Sequence, residues 1–241
     1  MPGFHDQWTV FPHGPVETVE DGLLSVEGEI RMPLGTFPRR MTLASLQAGG
    51  SVVFSPVALH EPAMREIEAL GPPRFIVVPN GFHRLDARIW KQRYPGAKII
   101  CPPGAKKRVQ QAVPVDATSD VMADDEVTFI IADGVRRAES ALMVRRSAGT
   151  SLVINDLISH IRHPRGLGAN ILARVFGFGV KRPQMAREVR WLLVNDKAAL
   201  AQQLRHWAAI PDLRRIIVSH GEMIDQRPEE VLERNAGSLS S

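Results

Sequence analysis

Apolar positions along this chain follow two rhythms, and the chain passes from one to the other twice. LLSVEGEI (23–30), MTLASLQ (41–47) and SVVFSP (51–56) read as strands, and Gly49-Gly50 between the last two predicts a hairpin turn. From residue 60 the period lengthens. EPAMREIEALG (61–71) has Pro in its first turn, helical spacing at Met64, Ile67 and Leu70, and a closing Gly, which together predict a helix. Unbroken apolar runs at RFIVVP (74–79) and AKIICPP (97–103) predict strands buried on both faces. A helix over DARIWKQRYPG (86–96) separates them, and a short one over GAKKRVQQAV (104–113) follows. The chain then returns to strands at 126–132, 140–147 and 151–156. An amphipathic helix at 196–210 with Asp196 as its cap, a buried strand at 214–220 and a helix at 227–235 complete the pattern. Residues 1–20, rich in Pro, Gly and His, predict an extended lead-in; 160–190 predicts an irregular basic and apolar insertion or cap; 236–241 predicts a frayed tail.

Two blocks that each run from β-meander to β-α units predict an α/β (α+β) chain forming a single domain over 1–241. The architecture expected is a four-layer αββα sandwich, with two mixed sheets face to face and helices outside. A doubly wound three-layer fold is the competitor. It fits less well because the strands at 23–56 and 126–156 are hairpin-linked, which leaves no room for crossover helices.

Composition narrows this only a little. With 241 residues, 44% hydrophobic and 23% charged, the chain has the make-up of an ordinary soluble domain. Its net charge of +4 is scattered in short pairs such as Arg39-Arg40, Arg136-Arg137, Arg145-Arg146 and Lys181-Arg182. Such pairs predict solvated surface and give no strong nucleic-acid signal. The single cysteine, Cys101, rules out an intrachain disulfide and a thiolate cluster and predicts a small core residue. No run approaches the roughly 20 apolar residues of a transmembrane segment. MPGFHDQWTVFPHGP lacks a basic start followed by an apolar stretch, so a cytoplasmic protein is the expectation.

Candidate chemistry lies where the apolar runs end. Asn80, His83 and Asp86 follow FIVVP, Asp156 follows SLVIN, and His220 follows RRIIVS. A strand end fixes a side chain while the next loop exposes it, so such positions are where sites are built. Each residue also has a plainer reading. His83 could be a ligand, a proton shuttle or a loop tether. Asp86 reads first as the N-cap of the next helix, and Asn80 as a residue that holds the turn with its own side chain. Asp156 could cap the segment at 157–161, but a carboxylate at the end of an apolar strand is costly to bury unless paired or metal-bound. Gly221 after His220 allows the sharp turn that would present the imidazole. Three residues after three different buried strands point to one shared cleft.

The stretches TVEDGLLSVEGEI, RRMTLASLQ with GGSVVFSPV, VVPNGFHRLD with WKQRYPGAKIICPPG, AESALMVRRSAGTSLVINDLI and VSHGE, within about 16–225, resemble a bacterial and plant domain family of unknown function within the metallo-β-lactamase fold. The resemblance implies that fold and a cleft with a metal site. Active hydrolases of the fold carry His-x-His-x-Asp-His after the first of these strands. The matching stretch here, Asn80 to Asp86, holds one histidine. Asp156 resembles the later acidic ligand and His220 the last histidine. Glu139 stands where the family often places an acidic residue that orients a histidine from behind. His160 and His163 could assist, although Arg162 and Arg165 disfavour a cation near them.

His83, Asp156 and His220 could together supply the three ligands of one zinc or other divalent metal, and no set for a second ion is evident. Weak or absent zinc binding is the expectation, because the histidines that two-metal chemistry needs are missing. A non-catalytic domain that keeps its cleft for binding an unknown small molecule or for assembly is therefore favoured. The alternative is an atypical mononuclear hydrolase of an ester, thioester or phosphodiester. A further expectation concerns residues 166–179, an apolar stretch in a basic surround that has Glu188 as its only acid. It reads as a helix on the core, or as a cap beside Asp156 that covers the cleft, makes a homodimer contact or touches an anionic surface.

Overall fold

The computed structural model describes residues 3–32, 35–163 and 177–239. Among these are ten strands in two mixed sheets. The first sheet has the order β1-β2-β3-β4-β5-β6, formed by His13–Glu20, Leu23–Met32, Gly35–Ser45, Ser51–Phe54, Pro73–Val77 and Lys98–Ile100. The second has the order β10-β9-β8-β7, with β7 at Val127–Ile131, β8 at Ser140–Arg146, β9 at Gly149–Ile154 and β10 at Leu213–Val218. The hairpin-linked strands β1 to β4 and β7 to β9 pair antiparallel. Those reached through helices, β5, β6 and β10, pair parallel to a neighbour. Helices α1 (Glu61–Glu68), α2 (Ala87–Arg93), α3 (Lys106–Val109), α4 (Arg187–Leu192), α5 (Lys197–Ala208) and α6 (Pro228–Leu239) accompany them.

The two-residue period of the strands divides the interior into three cores. Val52 and Phe54 of β4, Val77 of β5, Val153 of β9 and Ile217 of β10 pack between the sheets. Val53 and Ile76 turn the other way, against Met64 and Ile67 of α1 and Trp90 of α2. Leu152, Ile154, Ile216 and Val218 likewise turn outward, against Leu200 and Leu204 of α5 and Leu232 of α6. The order of layers is therefore helix, sheet, sheet, helix. The unbroken apolar runs arise because these strands face a core on both sides.

Several expectations are corrected. Within the lead-in, residues 13–20 are built into the first sheet as edge strand β1 against β2. The last helix runs on to Leu239, because Ala236 and Leu239 are buried in the core beneath it, so 236–239 is not frayed. The insertion contains the short helix α4, which buries Val189. Most of the 166–179 stretch lies outside the described residues; Phe178 lies within them and meets Phe37 edge-on at 5.5 Å between ring centroids. Arg39 and Arg40 are not solvated surface: both are buried, 5% and 4% exposed. Arg40 donates to Ser25 Oγ at 2.8 Å and pairs with Glu27 at 2.9 Å, so a charge inside a strand is matched on the spot.

Candidate metal centre

Strand register places the centre. β9 and β10 are parallel neighbours with Ile154 opposite Val218, so Asp156 and His220, each two residues further on, leave the sheet side by side. His83 comes from the other sheet, in the loop after β5. Asn80 sets that loop: its Oδ1 accepts from the backbone N–H groups of Phe82 and His83 at 2.7 and 3.0 Å. Its amide nitrogen donates to Glu139 and, at 2.6 Å, to Asp156 Oδ2. Asn80 thus folds the first loop and ties it to the second sheet.

Three ligand-type atoms converge. His83 Nε2 lies 3.1 Å from His220 Nε2 and 3.2 Å from Asp156 Oδ1, and His220 Nε2 lies 3.0 Å from the same oxygen. Ligands of a tetrahedral zinc with bonds of about 2.0–2.1 Å stand roughly 3.3–3.4 Å apart, so the triangle is close to one face of such a site. The far sides of both rings are taken. His220 Nδ1 is 2.7 Å from the Pro38 carbonyl, which can only accept, so that nitrogen carries the proton and Nε2 is left as the ligand. His83 Nδ1 is 3.0 Å from Ser55 Oγ. Ser55, the residue after β4, has φ +57, a left-handed backbone that a non-glycine residue adopts only where its surroundings hold it.

Electrostatics follow from this packing. Burial acts against charge on Asp156, but the two imidazoles outweigh it and hold the carboxyl well below the usual range. Burial pushes His83 down, with Asp156 opposing. Burial also acts against charged His220, yet the hydrogen bond and charge of Asp156 and the Pro38 carbonyl raise it. Glu139 is pushed well up, first by burial and then by the charge of Asp156. It sits behind Asn80, and among the described residues no hydrogen bond or ion pair joins it to a histidine, which corrects its expected role as a partner of one. Asn155 lies near enough to favour its charged form, but no hydrogen bond of ordinary geometry joins the two.

The remaining candidates lie elsewhere. Asp86 stands at the N-terminus of α2 but its side chain does not cap it. Fully buried, it pairs with Arg39 and His5, each at 2.7 Å, and accepts from the Ala58 N–H at 3.1 Å. His160 is outside the triad. Its Nδ1 faces the Glu222 carbonyl at 3.2 Å and its N–H donates to the His220 carbonyl at 2.9 Å, so it braces His220 through the backbone. Exposed His163 faces Glu222 at 3.8 Å. The Asp156 carboxylate binds Asn80 and the two imidazoles rather than capping 157–161. Among the described residues, His83, Asp156 and His220 form the one such cluster of three.

Two groups of residues escaped the sequence reading. Ser55 and Pro38 orient the histidines, and Ser55 obeys the same strand-end rule that singled out the others. Arg40 donates to the Gly221 carbonyl at 3.1 Å and so anchors the turn after His220; a charged pair beside an apolar run was its signal. A cavity of about 420 Å³ opens on the triad, with Phe37, Phe82, Phe178, Val189, Leu192 and Glu188 in its walls. A larger cleft of about 650 Å³ contains His160 and none of the triad.

The fold is that of the metallo-β-lactamases. The DIM-1 metallo-β-lactamase in a structure of the enzyme exposed to ceftazidime superposes with TM-score 0.64 at 12% identity, over 97% of this chain and 100% of that one. The mono-zinc form of the FIM-1 enzyme from Pseudomonas aeruginosa gives 0.59 at 15% identity, over 97% and 99%. A metallo-β-lactamase from Hirschia baltica gives 0.60 at 14%, over 94% and 98%. No family model matches the sequence, and no curated protein matches it. No helix among the described residues is long and apolar enough to cross a membrane.

Proposed function

We propose that the protein holds one zinc or similar divalent ion between His83 Nε2, Asp156 Oδ1 and His220 Nε2, and hydrolyses an ester or thioester in the cavity above. One observation carries this reading: three donor atoms converge within 3.0–3.2 Å while both outer ring nitrogens are engaged. Facing atoms of this kind need a proton or a cation between them, and nitrogen and carboxylate donors without thiolate suit zinc and its neighbours. An ion held there supplies Lewis acidity toward a carbonyl oxygen. The chain's residues orient it: Pro38 and Ser55 fix the rings, and Asn80 fixes Asp156. The aromatic walls would seat the acyl group; a water oxygen would join the acyl carbon as the acyl–oxygen or acyl–sulfur bond breaks, one water proton passing to the leaving group. A mono-zinc form of a protein with the same fold supports the single-ion reading.

A second reading, ligand binding without turnover, is favoured by Asp86, which the ion pair with Arg39 keeps from serving a second metal. Elemental analysis of protein purified without added metal separates these readings. The expected result is a single metal per chain, lost in His83→Ala, Asp156→Ala and His220→Ala. Two metals, or none, would overturn the single-ion assignment. One metal with no turnover of nitrophenyl esters or acyl thioesters would leave the binding reading.

A further inference from the structure

The cavity over the triad is unusual in charge as well as polarity. Its polar groups are the triad itself, Ser159 and one further carboxyl, Glu188; no Lys or Arg lines it among the described residues. Its volume of about 420 Å³ lies within the range of small-molecule sites. Among the described residues, Arg39 borders a neighbouring void of about 50 Å³ and pairs with Asp86, and Arg108 stacks 4.1 Å from the Phe82 ring centroid; neither lines the cavity. By contrast, the larger cleft beside His160 is lined by Arg162, Lys181, Arg182, Arg227 and Arg234. Among the described residues, the cations of this region therefore line one cleft, and the apolar side chains line another. At the cavity rim Phe82 and Leu192 are 52% and 65% exposed, so the apolar lining continues outward to the mouth. Glu188 stands in the wall on α4, and its Oε2 is buried without a hydrogen-bond partner among the described residues.

In the metal-free cavity, a ligand with a carboxylate, sulfonate or phosphate would bring its charge into an apolar space that already holds the Asp156 and Glu188 carboxyls, with no Lys or Arg in the lining among the described residues to receive it. Burying an unpaired charge is costly, and a like charge nearby adds to the cost. An uncharged acyl or aryl group meets only favourable apolar contact. We propose that this cavity selects uncharged apolar compounds, and that Glu188 is the residue that turns anionic ones away. This rests on the assignment of the cavity as the substrate pocket of the single-ion centre; with the ion bound, the apolar walls and Glu188 carry the preference, and neutral acyl or aryl esters are the substrates they fit.

Two fluorescent probes with the same ring system test it: N-phenyl-1-naphthylamine, which is neutral, and 1-anilinonaphthalene-8-sulfonate, which adds one sulfonate. Each is titrated into the full chain with and without zinc. The neutral probe is expected to bind at least about tenfold more tightly than the sulfonate in the zinc-free protein. Glu188→Gln and Leu192→Arg should each tighten sulfonate binding about tenfold, the first by removing a like charge and the second by supplying a cation. Val189→Trp, which fills the cavity, should weaken the neutral probe. Because Leu192 is exposed, Leu192→Arg remains informative if Val189→Trp fails to fold. Equal affinity of the two probes for the wild-type chain would overturn the proposal. So would a sulfonate affinity unmoved in both Glu188→Gln and Leu192→Arg. Metal content measured on the same samples keeps the two readings apart: a chain without metal that still prefers the neutral probe fails the single-ion reading alone.

Discussion

Asn80 shows how much one neutral side chain can organise. It gives its oxygen to two backbone N–H groups of its own loop and its amide protons to two carboxyls from the other sheet. Glu139 and Asp156 can share this small volume because burial and the neighbouring charge push one toward its neutral form while the imidazoles hold the other charged. Asn80→Ala would leave both carboxyls short of a donor and free the loop that carries His83. Leaving buried polar groups unsatisfied costs about 1–3 kcal/mol each, so a loss near the top of that range is expected in urea unfolding. Zinc affinity should fall with it, since Asp156 and His83 both lose their support. A stability equal to that of the wild type would show that the amide is dispensable.

The turn after β10 is the element on which the site depends most. Gly221 has φ +104, and a Cβ there would sit 2.0 Å from the His160 carbonyl oxygen. The close approach has a purpose: the backbone of His160 braces that of His220, and Arg40 holds the Gly221 carbonyl from the first sheet. Gly221→Ala is expected to cost at least about 1–3 kcal/mol from backbone strain alone. It should also displace His220, so that metal content falls even in the fraction that remains folded. Thermal unfolding and elemental analysis of the same sample check both effects; full metal content with only a lowered Tm would separate the turn from the site.

At the scale of the whole molecule, the sandwich buries its chemistry-bearing groups to very different ends. Cys101 is fully buried under α2 and α3, and burial pushes its thiol up to about 12, against a small opposing effect of Lys106. The unfolded chain releases that proton near pH 9.0, so the contribution of Cys101 is fully present below that pH and is lost as the pH rises toward 12. The stability advantage of the wild type over Cys101→Ala should therefore shrink across that window. At pH 8 iodoacetamide should leave Cys101 unmodified until urea unfolds the chain. Rapid modification of the folded protein would show that the layer opens locally.

Periodicity alone determined most of the strands, their alternation with helices and the layer order, because each β residue must face one core or the other and the apolar pattern records which; it missed edge strand β1 and the first half of β3. It also placed His83, Asp156 and His220 at strand ends, and Cys101 in the core. What it could not determine was which polar residues meet. Asp86 follows its strand as His83 does, yet it is claimed by Arg39 and His5 from elements far away in sequence. Glu139 reaches Asn80 rather than a histidine, and His160 contributes through its backbone. The frayed tail became helix because α6 covers a core that no local pattern reveals. Pairing between side chains depends on register and on loops that cross from one sheet to the other. Those are long-range properties, and only the packed structure decides them.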